Sequence, residues 1–307
     1  MKSKIERIRK EMARALVGQQ GLVDGLLIAL LCHQHVLVEG VPGLAKTTAV
    51  RAFSRVLGLS FRRIQFTPDL LPADLLGTHV YEPQRGEFRL HRGPIFHHLI
   101  LADEINRAPA KVQSALLEAM EERQVTLAGE TLALPKPFLL MATQNPIEQE
   151  GVYPLPEAQV DRFMLKLRVD YPSHEEEVQI VHHRTAPEDP KLPMQVLDAS
   201  EIDALRSSVR RVHVEPTLVE YSVCLVEASR KPESVQLGGS PRASIYLIEA
   251  ARARAFIELR DYVLPQDIKR VAPDVLRHRL RLTYEAEAQG LTPDQVIDDL
   301  LGRVPTP

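Results

Sequence analysis

The chain has 307 residues, 44% hydrophobic and 26% charged, the balance of a water-soluble protein able to bury one or two cores. Its 38 basic and 41 acidic residues give a formal charge of -3, which excludes a global field drawing it to nucleic acid or an anionic membrane. Two distant cysteines, Cys32 and Cys224, exclude a disulfide framework or a zinc site and are expected to be buried thiols. The N-terminal stretch is charged throughout, and the apolar run 26–32 falls far short of the ~20 residues that cross a bilayer, so a cytoplasmic location without membrane insertion is expected. Residues 4–31 carry apolar side chains at helical spacing, with a break around Gly18, and predict two helices. The β-branched run 35–39 stops at Gly40, and 46–57 resumes helical spacing, giving strand, glycine loop, helix. Apolar runs at 61–66, 99–103, 138–143 and 163–169 alternate with helical stretches such as 111–122, which predicts a parallel sheet covered by helices on both faces. Two hairpins interrupt the alternation, one with arms 78–81 and 88–90 and the other with arms 124–127 and 131–134. A proline-rich polar stretch, 184–193, reads as a linker. Beyond it 200–210, 216–229, 241–260 and 265–281 predict an all-helical second domain.

Gly40-Val41-Pro42-Gly43-Leu44-Ala45-Lys46-Thr47 matches the phosphate-binding loop GxxxxGK[ST] except that Ala45 replaces its last glycine. Because the loop leaves a strand and opens a helix, its backbone N–H groups and the helix dipole suit a triphosphate. Lys46 then neutralises the β- and γ-phosphates, Thr47 offers a hydroxyl to Mg²⁺, and Thr48 closes the candidate set. The strand 99–103 ends in Asp103-Glu104, the form of a Walker B motif. Asp103 suits the Mg²⁺ shell and Glu104 the role of general base toward water. Asn145, ending the next strand, could orient that water, although an asparagine before proline is more often a turn residue. Arg162 and Arg242 have no signature of their own.

In combination, these motifs resemble the MoxR family of AAA+ ATPases over almost the whole chain. The residues that carry the resemblance are the loop 40–47, Leu101-Ala-Asp-Glu-Ile-Asn-Arg-Ala-Pro109, 113–123, Ala142-Thr-Gln-Asn-Pro146, 156–163 and Ser240-Pro-Arg-Ala243. The resemblance implies an αβα nucleotide domain over residues 1–183, a linker over 184–198 and a helical lid over 199–307. It also implies a homo-oligomeric ring, usually a hexamer, with ATP and Mg²⁺ at subunit boundaries. Val17 and Gly18 then resemble the segment around adenine, Asn145 sensor 1, Arg242 the lid's sensor 2 reaching its own chain's ATP, and Arg162 an arginine finger offered to a neighbour. The hairpins resemble the helix-2 insert and the pre-sensor-1 hairpin. Relatives of this kind remodel or metallate client proteins, often with a partner bearing a von Willebrand factor A domain. The rival readings are a motor acting on nucleic acid and a nucleotide-gated binding module. Glu82, Glu87 and Glu130 offset the hairpin cations and speak against the first; an intact Glu104 speaks against the second.

Overall fold

A computed structural model describes residues 2–41, 43–127, 129–145, 153–185 and 192–307. Pro42 of the phosphate loop, Ala128 of the second hairpin, Pro146 and linker residues 186–191 lie outside the described residues. In chain order the elements begin with α1 (Lys2–Ala15), α2 (Gln20–Cys32), β1 (Val36–Glu39), α3 (Lys46–Val56), β2 (Phe61–Gln65) and α4 (Pro72–Leu76). Next come the hairpin β3 (Gly77–Glu82) and β4 (Glu87–Arg92), β5 (Leu99–Asp103), α5 (Ala110–Glu122), the hairpin β6 (Gln124–Leu127) and β7 (Glu130–Ala133), and β8 (Leu139–Gln144). A short α6 (Glu157–Val160), β9 (Leu165–Arg168) and α7 (His174–Thr185) complete the first part. The C-terminal part comprises α8 (Ala199–Arg210), α9 (Pro216–Ala228), β10 (Val235–Leu237), α10 (Pro241–Ile257), α11 (Pro265–Leu276), β11 (Arg281–Leu282), α12 (Tyr284–Ala288) and α13 (Pro293–Arg303).

Five strands form one parallel sheet in the order β2-β5-β8-β1-β9. Alternation along each strand sorts its side chains between two cores. Val36, Val38, Leu99, Leu101, Met141 and Leu167 join the cluster that includes α1, α2, α3 and the C-terminal helices. Leu37, Ile64, Ile100, Leu140 and Ala142 join the one built on α5. Both faces are therefore apolar, which is why the strands read as continuous hydrophobic runs. In this order β8 lies between the strand that feeds the phosphate loop and the strand that ends in Asp103, so the ends of all three strands share one edge.

The C-terminal part packs on the sheet domain through α2, whose residues from Leu22 to Leu31 are buried between β9, α8 and α10. Its helices start on recognisable caps. Asp198 and Glu201 exchange side chain to backbone bonds at α8, Thr292 and Gln295 do so at α13, and proline opens α9, α10, α11 and α13. The expectation of an all-helical second domain needs one correction: β10 and β11 pair antiparallel there, between stretches too short to show strand periodicity. The predicted helix 265–281 likewise stops at Leu276, because the chain must turn into β11. The expected buried thiols also differ. Cys32 is half-buried with its Sγ toward the Glu249 carbonyl, and Cys224 is exposed. Among the described residues no helix is long and apolar enough to cross a membrane.

Candidate functional site

The loop after β1 is shaped by close packing. A Cβ on Gly40 would stand 2.7 Å from the Val169 carbonyl oxygen, so only glycine lets the loop leave the sheet there. Ala45 takes a left-handed φ of 55° as the N-cap of α3, the conformation that glycine supplies in the general motif. Lys46 follows, its Nζ donating to the Gly40 carbonyl at 2.5 Å. Burial draws Lys46 below the ordinary ammonium range, while the carboxylates of Asp103 and Glu104 act in the opposite sense. These three charged groups are thus close enough to feel one another. Gly43, Leu44, Ala45, Thr47 and Thr48 line one side of a cleft of about 560 Å³, and Val17, Leu16, Ile180 and Leu192 give its other side an apolar lining. Gly18, at φ 67°, does not itself line the cleft but joins Val17 and Gln19, which do; a Cβ there would meet the Glu176 carboxylate of α7. Val41 packs on the core beside the loop.

At the end of β5 the two acids are held differently. Asp103 accepts from Thr143 Oγ1 at 2.6 Å and from Arg63 Nε and Nη2 at 2.9 and 2.6 Å. Glu104 has φ 58°; its N–H donates to Thr143 Oγ1 at 2.9 Å, and its carboxylate accepts from Gln65 at 2.8 Å and Arg107 at 3.1 Å. Thr143 therefore registers both acids against β8. A hydroxyl at Thr47 and a carboxylate at Asp103 are hard oxygen donors of the kind Mg²⁺ takes alongside phosphate, so the residues fit that ion. Among the described residues no group of three or more His, Cys, Asp or Glu could hold a metal by itself. Asn145 is buried at the C-terminal end of β8 and faces a cavity of about 1010 Å³ between the sheet and the C-terminal part.

The two arginines stand elsewhere, and they stand together. Arg162 Nη2 lies 3.1 Å from Glu121 Oε2, and Arg242 Nη2 lies 3.6 Å from Glu121 Oε1, with Arg242 Nη1 3.7 Å from Asp161. They share a pocket of about 180 Å³ with His35, which precedes β1, whereas the phosphate loop follows β1. In a parallel sheet these are opposite edges, separated by roughly 16 Å at ~3.3 Å per residue over residues 35–40. Arg242 is thus beside Arg162 and not in the cleft that holds Thr47. The expectation that it reaches its own chain's nucleotide runs against this placement.

A sequence profile described as ATPase family associated with various cellular activities (AAA) matches residues 35–165, and an AAA lid domain profile matches 227–300. The chain is 51% identical to Chaperone MoxR1 of Mycobacterium tuberculosis over 99% of its own length and 82% of that protein. It is 32% identical to Protein MoxR of Methylorubrum extorquens over 98% of this chain and 94% of that one. The chain belongs to the MoxR family of AAA+ ATPases. A crystal structure of a candidate ATPase from Cytophaga hutchinsonii superposes with a TM-score of 0.93 at 44% identity, covering 99% of this MoxR chain and 95% of the other.

Several residues around the site of this MoxR-family chain carry no sequence signal. Arg63, Gln65 and Thr143 meet the acids only because β2, β5 and β8 pair in one register. His35 is buried; its Nδ1 accepts from Leu140 N–H at 2.9 Å and its Nε2–H donates to the Met120 carbonyl at 3.2 Å. Arg279, almost wholly buried, donates to Asp161 Oδ1 at 2.7 Å and fastens the Asp161-Arg162-Phe163 segment to the C-terminal part. The acid in front of Arg162 was the available clue, and its partner lies too far along the chain to be read from spacing.

Proposed function

We propose that this chain hydrolyses ATP at the subunit boundaries of a homo-oligomeric, hexameric ring and uses the cycle to remodel client proteins in the cytoplasm. Residues 1–183 hold the nucleotide, 184–198 connect, and 199–307 form the lid. The observation that carries the reading is the division of functional groups between two edges of one sheet: Lys46, Asp103 and Glu104 at one, Arg162 and Arg242 at the other. In one subunit the arginines cannot serve the phosphates; a neighbour seated edge to edge can receive both.

In the proposed site Val17 and Gly18 border the adenine, residues 40–48 wrap the phosphates, and Lys46 offsets their charge. Thr47 and Asp103 supply the oxygen donors for Mg²⁺, which when bound offsets charge on the phosphate oxygens. Glu104 polarises the attacking water and Asn145 orients it. Arg162 and Arg242 of the neighbouring copy's edge face the developing γ-phosphate charge. For the client, the β3–β4 hairpin presents Tyr81 and Phe88, 50% and 69% exposed, with ring centroids 5.3 Å apart. Two of its three arginines, Arg85 and Arg89, lie against Glu82, at 3.6 and 3.4 Å, and the third, Arg92, lies over the Phe96 ring. That pairing favours an apolar protein segment over a nucleic-acid backbone, which needs free cations. A partner bearing a von Willebrand factor A domain fits the same role of client delivery.

A phosphate-release assay tests the reading. Lys46→Ala should lose nucleotide binding, whereas Glu104→Gln should keep it and lose turnover by about 10²–10⁴. Parental turnover in Glu104→Gln would remove the general-base assignment. Binding of single-stranded DNA or RNA at moderate salt would favour the motor instead.

A further inference from the structure

A second basic concavity lies where the C-terminal part meets the end of α2 and the root of the β6–β7 hairpin. Its volume is about 460 Å³, and its cations are Arg123, Lys136, Arg206 and Arg210. Arg123 caps α5 in a left-handed conformation, φ 54°, which aims the side chain back at α2, where its Nη2 donates to the His33 carbonyl at 2.8 Å. Arg206 and Arg210 lie four residues apart on α8 and so share a helix face. Lys136 follows the hairpin and is exposed, as is Arg210.

The donors of this pocket are only partly used. Arg206 is 8% exposed; its Nε donates to the Leu30 carbonyl at 2.9 Å and its Nη1 to Asp203 at 3.2 Å, while its buried Nη2 has no partner among the described residues. Arg123 Nε and His33 Nε2 are likewise buried and have no partner among the described residues. Buried guanidinium donors are costly to leave unpaired, so an acceptor is the missing component. The acids at hand are Glu122 and Asp203 on the rim and Glu249 near Arg210, whose carboxyl is pushed up by burial. They do not balance four cations lining the pocket. Burial, with Arg206, Arg123, Arg210 and Lys136 around it, drives His33 down to about 3, a second sign of positive potential here.

We propose that this pocket binds a phosphate-class oxyanion, separate from the nucleotide's phosphates, which bridges α8 of the C-terminal part to Arg123 and Lys136 of the sheet domain. Planar guanidinium forks suit two or three oxygens of one tetrahedral group, and the volume admits a pyrophosphate-sized ligand. Bound there, the anion would hold the two parts of the chain together.

The test uses the full-length Lys46→Ala chain with inorganic pyrophosphate, ADP and a glutamate-rich peptide as probes in parallel titrations. Pyrophosphate should bind and raise the melting temperature. The double variant Arg210→Gln/Lys136→Gln, made at exposed positions so that the fold is kept, should weaken it by about tenfold or more. Arg206→Lys, which keeps the charge but loses the fork, should weaken it as well. Tighter binding of ADP than of pyrophosphate, still sensitive to Arg210 and Lys136, would make a nucleotide the source of the phosphate. Pyrophosphate binding that ignores the pocket variants, no binding at all, or preferential capture of the peptide would each overturn the proposal.

Discussion

Glu104 and Ala45 both adopt left-handed backbone angles, φ 58° and 55°, at the two points where the proposed chemistry needs a side chain or an N–H turned sharply. Such angles cost a non-glycine residue on the order of 1–2 kcal/mol, so the surrounding bonds must hold them, and at Glu104 Thr143 and Gln65 do so. His35 ties β8 to α5 at the other end of the strands, through the Leu140 N–H and the Met120 carbonyl. Burial, aided by Arg123, pushes its imidazole down to about 3, so it is neutral in the fold and charges only on unfolding. The folded value lies below the unfolded one. Its contribution is therefore complete above the unfolded pKa near ~6.5 and is lost as pH falls toward 3, with a limiting slope of ~1.4 kcal/mol per pH unit. His278, half-buried and also held well down by desolvation and by Arg279 beside it, adds a slope of the same sign. His35→Gln should flatten the pH dependence of denaturant unfolding between about pH 6 and about pH 4 by roughly one histidine's share. An unchanged slope would show that His35 is protonated in the fold. Lys46, Asp103 and Glu104 were legible as residues because their meaning lies in a few adjacent positions at a strand end. Arg63, Thr143 and His35 were not, because their partners come from neighbouring strands and register is absent from a linear pattern.

At the scale of elements, α2 decides how the two parts of the chain are joined. It is apolar nearly all round, and its buried Asp24 is bound by Arg9 of α1 at 2.9 and 3.1 Å and by Arg254 of α10 at 2.9 Å. Removing one member of such a buried network strands the remaining charges. Asp24→Ala should therefore cost about 3–5 kcal/mol in urea unfolding, and Asp24→Asn clearly less. A loss under about 1 kcal/mol for Asp24→Ala would mean that apolar packing alone docks the helices. The five core strands and the two hairpins were readable from apolar runs and turn residues, with shifts of a residue or two at their ends. The helix α7, the C-terminal α13 and the β10–β11 pair were not read. For α7 the cause is composition, since His174-Glu-Glu-Glu opens it and its exposed face offers little apolar periodicity. The strand pair is set by where α11 stops and the chain returns, a tertiary matter.

For the whole molecule, sheet polarity separates the groups proposed to act together. The phosphate loop and the two acids share the C-terminal edge of the strands; Glu121 gathers Arg162 and Arg242 at the N-terminal edge. Glu121 thus holds two cations that, in the proposed ring, a triphosphate of an adjoining copy would attract more strongly, and assembly would then be the switch for hydrolysis. An arginine finger contributes about 10³–10⁵ in rate where it completes a phosphoryl-transfer site, so loss of Arg162 should be plain and activity should rise with protein concentration. Arg242→Ala should fail in the same manner, in trans. The decisive measurement is ATPase complementation. Arg162→Ala keeps its own Lys46, Asp103 and Glu104, while Glu104→Gln keeps its arginines. Each should be inactive alone, and a co-assembled mixture of the two should regain measurable ATPase activity. Mixtures shown to co-assemble that stay inactive at every ratio would contradict the shared site.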